Sequence, residues 1–355
     1  MTKTIAFHSN QLSIRGTEVA LYDYALNAEA VLGHRSLVVY NADSPHNSPE
    51  ALAKFGARFE VVGYRRADEL DGLLARHQAD LLYAIKAGKN DGIWSRTVPT
   101  MVHAVFPTHP AQAHGASFAF ISEWLSRHCA NGKIPNVPHI VELPDEDGDL
   151  RSELGIPPQA KVLGCHGGTH SFDVPAAIEA VRQVLARSPD TWFVFLNIAP
   201  FVDHPRARFL PGSSDMVYKT RFINTCDAML HARLQGESFG LACGEFSIRN
   251  KPVITYAGSK HRHHIDVLGD AGFLYTDARS LVDIIEKLDP QDLRRRHWDR
   301  YSELYNREVV MDLFDRHLIQ PALRNPDRAR PQLNLRWADR LPYYRLKLSM
   351  RFGRR

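Results

Sequence analysis

Short apolar runs with strand character alternate with helical patterns along almost the whole chain, and this rhythm restricts the fold more than any other feature. Candidate strands are Thr4–His8, Ser36–Tyr40, Arg58–Val62, Leu81–Ile85, Thr100–Val105 and Phe118–Ile121, with helical patterns at Glu18–Val31 and Glu69–His77. The alternation pauses at the acidic stretch Glu142-Leu143-Pro144-Asp145-Glu146-Asp147-Gly148-Asp149, which reads as a linker. It resumes with Lys161–Cys165, a helix over Pro175–Ala186, Trp192–Leu196, Val253–Tyr256 and Gly272–Tyr275. Two runs of β-α units predict two doubly wound parallel sheets. The chain has 355 residues, more than one core usually holds, which also predicts two domains.

The stretch Asp227–Thr255 carries the chemistry. Glu237 and Glu245 are separated by seven residues that begin Ser238-Phe239-Gly240-Leu241, and Lys251-Pro252-Val253-Ile254 follows. This reads as a strand, a glycine loop, and a helix opening near Gly240, then another strand. The first N–H groups of such a helix favour an anion, typically a phosphate. A carboxylate before the helix can accept hydrogen bonds from sugar hydroxyls, and one further along can grip a ribose diol. Cys243, inside the helix, reads as a buried packing residue.

The string E-S-F-G-L-x-x-x-E followed by K-P-V-I resembles the E-x7-E motif of retaining GT-B glycosyltransferases, especially glycosyltransferase family 4. The resemblance implies an α/β fold with two Rossmann-like doubly wound domains facing a cleft. Residues 1–141 would form the acceptor-side domain and 142–300 the nucleotide-sugar domain. Residues 301–325 would be a helix crossing back to the first domain, and 326–355 a basic aromatic tail. It implies transfer of a sugar from a nucleotide donor to an acceptor hydroxyl with retention, in a setting such as cell-surface glycan synthesis. No cofactor is expected beyond the nucleotide sugar as co-substrate, and no metal. The acceptor is a glycan, a lipid-linked sugar or a small molecule; no nucleic acid is expected. Glu245 would bind the ribose. Glu237 would hold the donor sugar, with Ser238 and the backbone of Phe239, Gly240 and Leu241 at the donor. A GT-B nucleotide-sugar epimerase and a catalytically degenerate sugar or nucleotide binder are the alternatives.

Other segments resemble the same family. Gly16, in Ser13-Ile14-Arg15-Gly16-Thr17-Glu18, looks like the glycine of the first loop that faces the donor phosphates, and Thr17 can cap the following helix. His103 ends a predicted buried strand, and its position resembles the family's active-site histidine. Ser122 reads as a helix cap, since no nucleophile elbow surrounds it. Gly167 and Gly168 resemble the phosphate-proximal loop. Here the chain departs from the family, because no Arg or Lys lies between Lys161 and Arg182, only His166 and His170. A leaving diphosphate needs compensating charge. Lys219, Arg221, Arg233 and Arg15 are the candidate substitutes, Arg233 foremost because it ends the strand before Glu237.

Lys260-His261-Arg262-His263-His264 holds three histidines within four residues but no acid or cysteine to complete a recognisable metal set, so it reads as a basic loop opening a helix. No apolar run reaches the length of a transmembrane helix, and the polar start MTKTIAFHSNQ reads as the first strand. Four cysteines without paired spacing point to a reducing cytoplasm. Residues 321–355 carry ten Lys and Arg against two acids, interleaved with aromatic and aliphatic side chains. Such a segment suits an anionic membrane surface, and a solvated tail is the plain alternative.

Overall fold

The computed structural model describes residues 1–13, 15–325 and 327–352. Ile14 of the first loop, Pro326 at the head of the basic tail, and Gly353, Arg354 and Arg355 at its end lie outside the described residues. The chain forms two compact units, Met1–Ile140 with Tyr305–Arg355, and Val141–Leu304.

In the first unit the elements run β1 (Thr4–Ser9), α1 (Gly16–Ala30), β2 (Arg35–Asn41), α2 (Pro49–Gly56), β3 (Glu60–Tyr64), α3 (Leu70–Arg76), β4 (Leu81–Lys86), β5 (Thr100–Ala104), β6 (Ser117–Phe120) and α4 (Glu123–Ala130). The strands form one parallel sheet in the order β3-β2-β1-β4-β5-β6. Every residue of β4 and β5 is buried, as expected of parallel strands covered on both faces. On α1, Ala20, Leu21, Tyr24, Ala25 and Ala28 make the buried stripe. Ser122 does cap α4, its hydroxyl accepting from the Leu125 N–H at 3.2 Å. Thr17 is not the cap of α1: the helix already begins at Gly16, and Arg15 stands at the cap position.

The second unit follows with β7 (Lys161–His166), α5 (Pro175–Arg187), β8 (Thr191–Leu196), β9 (Ala207–Leu210), α6 (Met216–Thr225), β10 (Ala228–Leu230), β11 (Gly236–Glu237), α7 (Leu241–Ile248), β12 (Val253–Tyr256), β13 (His261–Arg262), α8 (His263–Leu268), β14 (Gly272–Tyr275), α9 (Ala278–Lys287) and α10 (Pro290–Arg295). Its parallel sheet is ordered β14-β12-β10-β7-β8-β9, and β11 pairs separately with β13. Taken in chain order, both sheets have the 3-2-1-4-5-6 arrangement, whose order reverses beside the first strand. Gly164 lets β7 approach α6: a Cβ there would lie 2.2 Å from the Cys226 sulfur.

A short α11 (Ser302–Tyr305) stands in sequence between the two units, and the chain then returns to the first. Helix α12 (Arg307–Phe314) continues through a π turn (Asp315–Ile319) into α13 (Gln320–Arg324). Phe314 stacks on Tyr24 at 5.0 Å and meets Tyr83 edge-on at 5.2 Å, anchoring this segment in the core of the first unit. The tail is helical as α14 (Leu341–Phe352), which packs on α4. Among the described residues no helix is long and apolar enough to cross a membrane.

Candidate functional site

Ligands of doubly wound sheets sit beyond the carboxyl ends of the strands, where strand order reverses. In the second unit that point lies between β7 and β10. The sequence places His166-Gly167-Gly168 after β7 and the loop His231–Gly240 after β10. The two loops are tied together: the Asp173 N–H donates to the Ala232 carbonyl at 2.8 Å, and the Leu234 N–H donates to the Asp173 carboxylate at 2.7 Å.

Gly240 turns the chain into α7 with φ +96°, a left-handed conformation that few side chains tolerate. A Cβ there would also lie 2.9 Å from the Cβ of His264. Intrahelical bonding starts at Gly244, whose N–H donates to the Gly240 carbonyl at 2.9 Å. No side chain caps the helix, and its first turn has no acidic residue. This N-terminus can therefore receive an anion. Leu241 opens the helix and is half-buried, as is Ser238, whereas Phe239 is buried and stacks on His263 at 5.5 Å.

Glu237 sits just ahead of that turn, its side chain 22% exposed. Arg233 Nη1 reaches Glu237 Oε1 at 2.9 Å, and His231 Nε2 reaches the same oxygen at 3.3 Å. Burial acts to raise this carboxyl, but the His231 hydrogen bond and the Arg233 charge outweigh it and hold it at about 2. Glu237 is thus ionised and accepts the His231 Nε2–H. His231 Nδ1 lies 2.8 Å from the Thr255 hydroxyl, which also lies 2.9 Å from His264 Nε2. His264 is fully buried, which keeps it neutral by pushing its pKa well below the usual value. The result is a continuous polar chain behind Glu237 through His231, Thr255 and His264.

Glu245 lies on α7 and is 1% exposed. Lys219, from α6, pairs with its Oε1, and His166 Nε2, from the end of β7, lies 2.9 Å from its Oε2. Burial raises its carboxyl and these two partners overcome that, holding it at about 2. A carboxylate expected to grip a ribose diol is therefore covered by its own protein partners.

The remaining sequence-predicted residues divide clearly. Arg233 pairs with Glu237 and Lys219 with Glu245, whereas Arg221 turns to Glu153 and the Asp149 carbonyl. The Gly167 carbonyl accepts from Asn197 Nδ2 at 2.7 Å, and Gly168 is exposed. Cys243 is buried, as are the other three cysteines. The histidines of 261–264 do not converge. His261 meets Gln235 at 2.8 Å, His263 stacks on Phe239 and His264 joins Thr255. No group of three or more metal-ligating side chains occurs among the described residues.

In the first unit, Gly16 is exposed, and a Cβ added there would meet nothing within 4 Å. Arg15 is exposed beside it, its carbonyl accepting the Glu18 and Val19 N–H groups. His103 requires a correction. It lies inside β5 rather than beyond its end and is fully buried. Its Nε2–H donates to the Val137 carbonyl and its Nδ1 accepts the Tyr83 hydroxyl, both at 2.8 Å. Burial lowers its pKa to about 4. Neither nitrogen is left for a sugar, because strand register turns the side chain into the sheet's packed face.

Sequence reasoning places His264 near the donor but missed His231 and Thr255, which link it to Glu237, and the closure of Glu245 by His166 and Lys219. The adjacent histidine pair 263–264 and the lone His166 were visible, but no spacing rule joined them to the glutamates.

No protein-family model matches the sequence, and no curated protein matches it. Solved structures do match in three dimensions. A glycosyltransferase from Rickettsia africae aligns at TM-score 0.60 and 11% identity, over 91% of this chain and 96% of its own. The HepE protein of Anabaena, in complex with UDP and glucose, aligns at 0.55 and 15%, over 91% and 98%. A putative UDP-N-acetylglucosamine 2-epimerase from Listeria monocytogenes aligns at 0.59 and 12%, over 94% and 100%. What is shared at these identities is the fold: two α/β units, each built on a six-stranded parallel sheet, as in GT-B glycosyltransferases.

Proposed function

We propose that this chain is a retaining glycosyltransferase that moves a sugar from a nucleotide-sugar donor to an acceptor hydroxyl. One observation carries the reading: an uncapped helix N-terminus, opened by left-handed Gly240 at the strand-order reversal, stands directly after the ionised Glu237. The N–H groups at Leu241 would receive the diphosphate, and their preorganised charge would stabilise the leaving group. Glu237, held by Arg233 and His231, would accept hydrogen bonds from the donor sugar. Glu245 would serve the nucleoside end through its partners, fixing Lys219 and His166 in place. Solved relatives in fold hold UDP, or UDP and glucose, which makes UDP the first nucleotide to try.

A thermal-shift series with nucleoside diphosphates and nucleotide sugars tests this, since a ligand that binds the native state raises the melting temperature. UDP or a UDP-sugar should stabilise the protein, and Gly240→Val should abolish the shift. A flat series across all nucleotides would remove the donor site. The likeness to a 2-epimerase keeps a second reading in view. Isomerisation of the donor sugar without acceptor would support it, and transfer to an added acceptor would support the first.

A further inference from the structure

The basic tail does not trail from the fold. Leu346 is buried on the α4 side of α14, and Asn131 Nδ2 donates to the Asp339 carboxylate at 3.1 Å, fixing the turn that leads into the helix. Tyr343 and Tyr344 both pack edge-on against His109, at 5.1 and 5.3 Å. The outer side of this platform is unusual. Trp337 is 74% exposed, Tyr344 54% and Leu348 57%. Tyr344 and Leu348, four residues apart, share one face of α14 with half-buried Leu341, and Trp337 opens the 3-10 turn Trp337–Arg340 that runs directly into that helix. Arg336, Arg340, Arg345, Lys347 and Arg351 are interleaved with these residues in sequence. The single acid of residues 336–352, Asp339, is 1% exposed and faces inward.

We infer that this face of α14, with the 3-10 turn that precedes it, is a docking surface for an anionic phospholipid bilayer, with Trp337, Tyr344 and Leu348 entering the interface and the surrounding cations meeting the headgroups. Charge and shape both point to this occupant. A segment with five cations over residues 336–352 and its single acid buried complements anionic lipid, and its tryptophan, tyrosine and leucine complement the headgroup–acyl boundary. A nucleic-acid surface would use the cations and could stack the aromatics, but it gives Leu348 nothing to bury against. The attachment is reversible, because it rests on one short apolar stripe and a few screened charges.

Vesicle binding needs no nucleotide, so this inference and the transferase reading fail separately. The full chain is sedimented with vesicles of phosphatidylglycerol in phosphatidylcholine and with pure phosphatidylcholine. Wild type should pellet with the anionic vesicles at low salt, leave them at high salt and ignore the neutral ones. Combined Trp337→Ser, Tyr344→Ser and Leu348→Ser should weaken partitioning at least about tenfold. Arg345→Glu with Lys347→Glu should do the same at low salt. Vesicles should also shift tryptophan emission to the blue, and Trp337→Phe should remove that shift. All these positions lie on the surface, and circular dichroism confirms that each variant is folded. Wild type left in the supernatant, or variants that pellet as wild type does, would overturn the inference. So would duplex DNA bound as tightly as the vesicles with both bindings unchanged in the triple serine variant.

Discussion

The two units have the same strand order but use their helix N-termini in opposite ways. In the first, α1 brings its own acid: Glu18 stands in the first turn, buried, accepting from Ser9 and Ser13 hydroxyls at 3.0 and 2.6 Å. Burial raises that carboxyl despite both hydrogen bonds. In the second, α7 has no acid in its first turn and no capping side chain, and its two glutamates sit before and beyond that turn, both held ionised by cations or histidine. The same topology thus yields two helix starts without a capping side chain, one with an acid in its first turn and one with none. The difference makes the start of α7 the better of the two to test for an anion, and Gly240 the better glycine to test than Gly16.

The largest expected effect comes from removing the charge that the second unit buries. Glu245→Ala leaves the Lys219 ammonium without its carboxylate in a buried position, which should cost about 3–5 kcal/mol of stability. Glu18→Ala removes only hydroxyl hydrogen bonds and should cost about 1–2 kcal/mol. Urea denaturation of both variants checks this. Equal losses would mean that Glu18 is as much a structural ion as Glu245, and the comparison would collapse.

His103→Ala is next. It leaves the Tyr83 hydroxyl and the Val137 carbonyl unpartnered beside a cavity, an expected loss of about 2–4 kcal/mol in stability. Turnover per folded molecule should hardly change. Glu237→Gln should instead lower kcat by roughly 10²-fold with little change in nucleotide affinity, and above about pH 4.5 it also loses the stability that the depressed carboxyl supplies. A fully stable His103→Ala protein that has lost turnover would return that histidine to the reacting sugar.

Much of the frame could be read from sequence because it rests on local patterns. Apolar runs marked most of the strands, though not β9, β11 or β13, and Gly240 marked the opening of α7. What could not be read depends on contacts between distant positions. Lys219 and Glu245 are 26 residues apart, and His231 and Thr255 are 24 apart. Only the pairing of β10 with β12 and β7 brings such side chains together. His103 shows the same limit from the other side. The apolar run shows that it belongs to a strand, but whether a residue points into the sheet's packing or out of its edge is decided by Tyr83 and Val137, which the local pattern does not contain.

The glycines extend the comparison at lower cost. Gly240→Ala forces a side chain into a left-handed turn against His264 and should weaken nucleotide binding about tenfold, with about 1–2 kcal/mol of lost stability. Gly16→Ala meets open space at the start of a helix and should leave both unchanged. Isothermal titration with the nucleotide that stabilises the protein measures the pair. A loss of affinity on Gly16→Ala alone would move the phosphate to the first unit.

The smallest effect is one of sign. Glu237 and Glu245 have folded pKa values near 2 against 4.5 for the free side chain. The unfolded chain binds more protons than the native one between those values. Their stabilisation is complete above about pH 4.5 and is lost as pH falls toward 2. Glu18 is shifted upward, so the native state holds its proton longer, and stability is lost as pH rises from 4.5 through its folded pKa. Relative to wild type, Glu18→Gln should therefore gain stability over the pH range just above 4.5 in which Glu18 would ionise. Glu237→Gln should close its deficit only as pH falls below 4.5. The buried histidines, His8 held near 3 and His103 near 4, add an acid-side loss below pH 6.5 that both variants share. It cancels when each variant is subtracted from wild type. Denaturation curves at closely spaced pH values read the two slopes directly. Slopes of the same sign would show that the two helix termini treat a carboxylate alike, and the assignment of the anion site to α7 would then lose its electrostatic basis.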